Sequence, residues 1–140
     1  MTISHIVLNV SKLKESVEFY KKVLIPLGFS VADYDKNEFY RFTNGIDSVI
    51  VLSQVEKKYS DMRYHRNAVG LNHIAISVKT KEDVDKFETH LNNLEIKILG
   101  EGKTYMDYRK GYYALFFEDF DRIMIEVVWH DDFYFSKKEL

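Results

Sequence analysis

Apolar and polar residues alternate in several short runs of this chain, and in two longer runs the apolar residues return at helical spacing. The run Ser4-His5-Ile6-Val7-Leu8-Asn9-Val10 reads as a strand, and Asn72-His73-Ile74-Ala75-Ile76-Ser77-Val78 repeats it. A charged amphipathic stretch follows each. The first carries Leu13, Val17, Tyr20, Val23, Leu24 and Leu27, the second Val84, Phe87, Leu91 and Leu94. Val17 pairs with Val84, Tyr20 with Phe87, Leu24 with Leu91 and Leu27 with Leu94 at one constant spacing, the mark of an internal repeat. Gly28 supplies a stop for the first helix, and Pro26 frays its last turn.

Three strand-like runs follow each helix. The first set lies near Phe29–Tyr34, Glu38–Thr43 and Ser48–Gln54, with a turn at Asn44-Gly45. The second lies near Glu95–Leu99, Tyr112–Glu118 and Arg122–Trp129, with a turn at Asp119-Phe120-Asp121. The expected fold is therefore α+β, with two tandem βαβββ modules in one domain of residues 1–140. Module one covers about 3–54 and module two about 69–130, joined by a polar linker over 55–68; the tail from Asp131 receives no assignment.

Side chains alternate faces along a strand, so parity sorts the polar residues. Ile6, Leu8 and Val10 share one face, as do Ile74, Ile76 and Val78, and Ile123, Ile125, Val127 and Trp129. These faces should meet the helices on the outside of a curved mixed sheet that closes around a cavity. His5, His73 and Glu126 then project from the opposite face, the two histidines at matching repeat positions. A carboxylate set among Met124, Ile125, Val127, Val128 and Trp129 is costly to bury without a compensating charge, and a divalent cation would supply it. His5, His73 and Glu126 are the candidate metal ligands; Tyr40, Arg41, Tyr112 and Tyr113 are candidate cavity walls, with Tyr40, Arg41 and Tyr113 the candidate substrate contacts. His90 belongs to the end of the second helix, His65 to the linker, and His130 to the rim of the cavity.

Composition narrows the function classes. The 140 residues carry 20 basic and 22 acidic side chains for a net charge of -2, which gives no footprint for nucleic acid. With 46% hydrophobic and 15% aromatic residues the chain has ample material for a core, and no apolar run is long enough to span a membrane. The N-terminus runs straight into a strand, so no signal peptide is expected. Cysteine is absent, which removes disulfides, thiolate metal sites and thiol nucleophiles and fits a cytoplasmic location.

At Ser4-His5-Ile6, Ser16-Val17-Glu18-Phe19-Tyr20, Gly70-Leu71-Asn72-His73-Ile74-Ala75 and Phe116-Phe117-Glu118-Asp119-Phe120-Asp121 ahead of Glu126, the sequence resembles the vicinal-oxygen-chelate superfamily. That group includes glyoxalase I, bleomycin-resistance proteins, fosfomycin-resistance enzymes and extradiol dioxygenases. The resemblance implies metal ligands on the first and last strands of each module, which fall on His5, His73 and Glu126, with Val51 in the fourth place. Val51 departs from glyoxalase I, which has a carboxylate or amide there. Phe116 stands where the fosfomycin enzymes have tyrosine, and Arg122 replaces the glycine of an Asp-Pro-Asp-Gly turn. What the resemblance implies is a metal-dependent lyase, isomerase or transferase, with zinc, nickel, manganese or iron chelating a small oxygenated metabolite. Affinity for the ion should fall on acidification, because imidazole binds metal only when neutral. The alternatives are a metal-free small-molecule binder of the bleomycin-resistance kind and, ranked last, an extradiol dioxygenase. A homodimer is the expected assembly, with modules paired within or between chains.

Overall fold

The computed structural model describes residues 3–100 and 111–131. The chain is α+β and divides into two compact units, Met1–Tyr64 and His65–Leu140; among the described residues each holds one α-helix and one four-stranded mixed sheet.

In the first unit the elements are β1 (Ile6–Val10), α1 (Leu13–Leu24), β2 (Ser30–Asp35), β3 (Phe39–Thr43) and β4 (Val49–Gln54), with sheet order β1-β4-β3-β2. β1 runs parallel to β4, and the other pairs are antiparallel. Helix α1 forms because Leu13, Val17, Tyr20, Val23 and Leu24 make one apolar stripe, and all five are buried. They pack with Leu8, Val10, Phe42, Ile50 and Leu52, the inward parity of the strands. No side chain of Lys12 caps the helix; instead Gln54 at the end of β4 accepts from the Leu13 amide at 3.0 Å. Pro26 lies in a short 3₁₀ turn, Ile25–Leu27, and Gly28 ends it at φ 88, a left-handed conformation in which a Cβ is penalised.

The second unit repeats the plan with β5 (His73–Ser77), α2 (Lys81–Asn93), β6 (Ile98–Gly100), β7 (Tyr112–Glu118) and β8 (Met124–His130), in order β5-β8-β7-β6. Thr80 and Asp83 close a reciprocal capping box at the start of α2. Val84, Phe87 and Leu91 are buried against the sheet, where Leu115, Phe117, Ile125 and Val127 supply the other half of the core. Phe87 and Phe117 meet at 5.9 Å between ring centroids.

Strand β6 starts later than the expected run from Glu95. Glu95 adopts φ 57 and serves to end α2, where no glycine is available to do so. The tight turn before β8 is built by Asp119, whose Oδ1 accepts from the amides of Asp121 at 2.9 Å and Ile123 at 2.8 Å. Arg122 takes φ 66 there, so an arginine occupies the left-handed place where the resembled pattern has glycine. Among the described residues, no helix is long and apolar enough to cross a membrane. The residues beyond 131, which carry no expected element, lie outside the described ones.

Candidate functional site

Strand register decides which side chains of the second unit share a face. Ala75 pairs with Glu126 and Phe116 pairs with Glu126, so the carboxylate stands at the centre of the three strands β5, β8 and β7. His73 precedes Ala75 by two residues and so shares the face of Glu126, diagonally across the parallel pair. Tyr112 and Phe116 have the matching parity on β7. These side chains look away from α2, into a cavity of about 420 Å³ within this unit. Its walls are Arg66, Asn72, His73, Leu99, Tyr112, Phe116, Met124 and Glu126, a mostly apolar lining with a few convergent polar groups, as small-molecule sites have.

Glu126 is 1% exposed, and a carboxylate that deep must be compensated. Two groups meet it. The Tyr112 hydroxyl donates to Oε1. His73 Nε2 stands 3.0 Å from Oε2. The neighbouring residue decides what that second contact means. Asn72 donates its amide nitrogen to the Arg66 carbonyl at 3.1 Å, which turns its Oδ1 toward His73 Nδ1 at 2.7 Å. An amide oxygen only accepts, so Nδ1 carries the ring proton and Nε2 of the neutral imidazole presents a lone pair. That lone pair faces a carboxylate oxygen. Two acceptors at 3.0 Å need a proton between them, on the ring or on the carboxyl, or a metal ion that both hold. An imidazole nitrogen oriented by the Asn72 oxygen and a buried carboxylate are two donors of the types that first-row divalent ions accept.

Across the rim, Arg66 is ion-paired with Glu118, and Arg122 Nε lies 3.8 Å from the same carboxylate. Among the described residues, no group of three or more histidine, aspartate or glutamate side chains is placed to hold a metal ion. His5 belongs to the first unit, immediately ahead of β1, with Ser4 Oγ 3.1 Å from its Nδ1. Both repeat-matched histidines thus have Nδ1 engaged by the side chain of the preceding residue.

The first unit carries the register counterpart of the carboxylate. Val7 pairs with Val51 as Ala75 pairs with Glu126, so Val51 occupies the equivalent of the carboxylate position. Arg41 pairs with Val51 and is the counterpart of Phe116. Its guanidinium holds Asp33 across the strand pair in a two-pronged contact, Nε to Oδ1 at 2.7 Å and Nη2 to Oδ2 at 2.9 Å. Tyr40 has the parity of the buried Phe42, stacks on Tyr34 at 4.8 Å and receives Lys21 of α1 over its ring. Tyr113 likewise has the parity of the core residues Leu115 and Phe117, and its hydroxyl donates to Asp85 of α2 at 2.6 Å. Tyr40 and Tyr113 therefore lie on the helix-bearing faces of their sheets.

In the sequence Asn72 and Arg66 carry no sign of a site role, Phe116 enters only as the place of a tyrosine in the fosfomycin enzymes, and Tyr112 only as a cavity wall. A parity argument from Glu126 through the turn at Asp119 reaches Phe116 and Tyr112. Nothing in the spacing of residues reaches the Asn72–His73 contact. His130 meets Ser77 at 3.2 Å, further along the same face, and His65 Nδ1 accepts from the Asn67 amide in the segment ahead of β5.

The hydrogen bond to the Asp85 carboxylate, with a smaller contribution from burial, pushes the Tyr113 phenol up to about 12 from its ordinary 10.0. A raised phenol pKa means that this contact adds stability below pH 10 and loses it as pH climbs through about 12. In a site-resolved titration the Tyr113 phenol should ionise later than an exposed tyrosine, and Asp85→Asn should return it to the common range. A Tyr113 phenol that stays late in Asp85→Asn would contradict this assignment.

The fold agrees with what the chain is similar to. A family model of the Glyoxalase/Bleomycin resistance protein/Dioxygenase superfamily matches residues 2–127, and the chain belongs to that superfamily. The uncharacterized protein YqjT of Bacillus subtilis (strain 168) is 32% identical over 129 residues, covering 89% of this chain and 95% of that one. Among solved structures, a candidate glyoxalase from Bacillus halodurans is similar with TM-score 0.77 and 29% identity, over 90% of this chain and 93% of its own. The lactoylglutathione lyase of Agrobacterium tumefaciens is similar with TM-score 0.67 and 21% identity, over 91% and 92% of the two chains, a likeness of fold.

Proposed function

We propose that this protein is a divalent-metal-dependent lyase or isomerase that acts on a small oxygenated metabolite, with His5, His73 and Glu126 as the ligands. The observation that carries the reading is the Nε2–Oε2 contact of 3.0 Å, two acceptors held face to face at a cavity wall with a fixed tautomer on one and deep burial on the other. His5, the repeat partner of His73, is the third donor in this reading. A divalent ion held there supplies Lewis-acid polarisation to a substrate with two neighbouring oxygens. The chain's own residues do the rest. Asn72 orients the imidazole, Leu99, Phe116 and Met124 exclude water from the substrate's body, and Arg66 places a guanidinium at the wall.

The test is titration of chelator-stripped protein with zinc, nickel, manganese and ferrous iron. One ion should bind per chain, and at a free concentration a hundred times the Kd it should stabilise the fold by about 2.7 kcal/mol. An affinity no tighter than ~1 mM, worth only about 4 kcal/mol of binding, would sink the reading. The apolar walls favour one second reading, metal-free capture of an aromatic compound against Tyr112 and Phe116. Ligand binding that is unchanged in the His5→Ala, His73→Ala double variant would select it.

A further inference from the structure

Arg66 lies in the segment ahead of β5, outside any strand, yet it is fastened at both ends. Its backbone carbonyl accepts from the Asn72 side-chain amide at 3.1 Å, and its Nη1 donates to Oε1 of Glu118. Glu118 shares the parity of Phe116 on β7, which is the parity of the cavity wall. Arg122 brings a second guanidinium to the same carboxylate, its Nε 3.8 Å from Oε2. Two guanidinium charges beside one carboxylate leave a positive excess, and Arg66 is the member that lines the cavity. We propose that Arg66 recognises a small monocarboxylate, whose acid group meets the guanidinium while its apolar body lies against Leu99, Phe116 and Met124. The inference rests on the reading of this cavity as the substrate site, involves the second unit alone and requires no ion.

A guanidinium carries its N–H donors in one rigid plane, and the two oxygens of a carboxylate match that fork. Glu118 engages the Nη1 end and holds the group at the wall, so little further freedom is lost when a ligand arrives. The other carboxylate of the lining, Glu126, is buried with Oε1 engaged by Tyr112 and Oε2 by His73, so its charge is met within the wall. The excess at Arg66 suits a single negative charge. A phosphate monoester would bring nearly two, and the second would stand unmatched beside apolar side chains. A cavity of about 420 Å³ is small among ligand sites, which suits one ring or a short chain. An arginine that served only to hold Glu118 would not tell an acid from its amide.

Fluorine NMR titration with 4-fluorophenylacetate and with its neutral amide, in excess chelator, tests this. The parent should bind the acid at least about tenfold more tightly than the amide, the margin that a charge-assisted hydrogen bond supplies. Added salt should weaken the acid and leave the amide unchanged. Arg66→Gln should bring the acid down to the level of the amide, whereas Arg63→Gln, an equal loss of charge at an exposed position, should not. Equal affinities of the parent for acid and amide overturn the inference while leaving the cavity as a ligand site. Binding of neither overturns the inference and the cavity reading together, and a preference for the acid that survives Arg66→Gln overturns the inference alone. A preference that appears only when a divalent ion is added would place the acid on the ion and also overturn it. If Arg66→Gln does not fold, the parent decides through magnetisation transfer between the ring of the bound acid and the Met124 methyl group. Transfer supports the assignment, and its absence from a bound acid overturns it.

Discussion

On the proposed metal-binding reading, Glu126→Gln should remove the stabilisation gained from a divalent ion while leaving the metal-free protein at least as stable as the parent. The amide has the shape of the carboxylate and can satisfy both neighbours: its oxygen accepts from Tyr112, and its nitrogen donates to the lone pair on His73 Nε2. It also removes a charge from a site that is 1% exposed, where an ionised group is expensive unless a cation accompanies it. Replacing a buried charge by a neutral group of the same shape is often neutral or favourable, by up to about 1–4 kcal/mol. An ion held as proposed would, in contrast, lose its only anionic ligand. An affinity loss of at least about a hundredfold, near 2.7 kcal/mol, is expected, and calorimetric unfolding with and without the ion reads both effects. A variant whose metal-free form falls by several kcal/mol, and which still gains the full increment from the ion, would mean that Glu126 is a structural carboxylate.

Asn72 should matter nearly as much, though it touches no ion. Its oxygen fixes the ring proton of His73 on Nδ1, and its nitrogen is anchored on the Arg66 carbonyl. Asn72→Ala releases the imidazole to its other tautomer and to rotation, so metal affinity should drop by about 10- to 100-fold. Asn72→Asp keeps an acceptor at the same place and should hold affinity within a few-fold of the parent, or raise it, because a carboxylate makes the imidazole a better donor. Isothermal titration gives the affinities, and nitrogen-15 spectra of the histidines report the tautomer. Equal affinities for the alanine variant and the parent would remove Asn72 from the account.

Much of this architecture was legible from the chain because it is written twice. The repeat of Ser4-His5-Ile6 in Asn72-His73-Ile74 and of the apolar helix positions identified two βαβββ modules, and strand parity separated Ile125 and Val127 from Glu126. The register then places Val51 opposite Val7 as Glu126 stands opposite Ala75, the equivalence that alignment of the two last strands implies. Less legible were features that depend on one side chain's local geometry. Glu95 looked like the start of a strand because glutamate at positive φ is uncommon, and nothing in its identity announces a helix stop. Tyr40 and Tyr113 read in the sequence like Arg41 and Tyr112 as cavity walls, but parity puts them with Phe42 and Phe117 on the helix side. The Asn72–His73 contact joins adjacent residues at the entry of a strand, where no periodicity operates.

The most direct test is a crystal of the protein grown with zinc or nickel and measured at the absorption edge of the metal. On the proposed reading one anomalous peak per chain should lie about 2.0–2.2 Å from His73 Nε2, from a ring nitrogen of His5 and from a carboxylate oxygen of Glu126. Direct contact between His73 and Glu126 in the metal-soaked crystal, with His5 elsewhere and no peak beside the pair, would contradict the proposal.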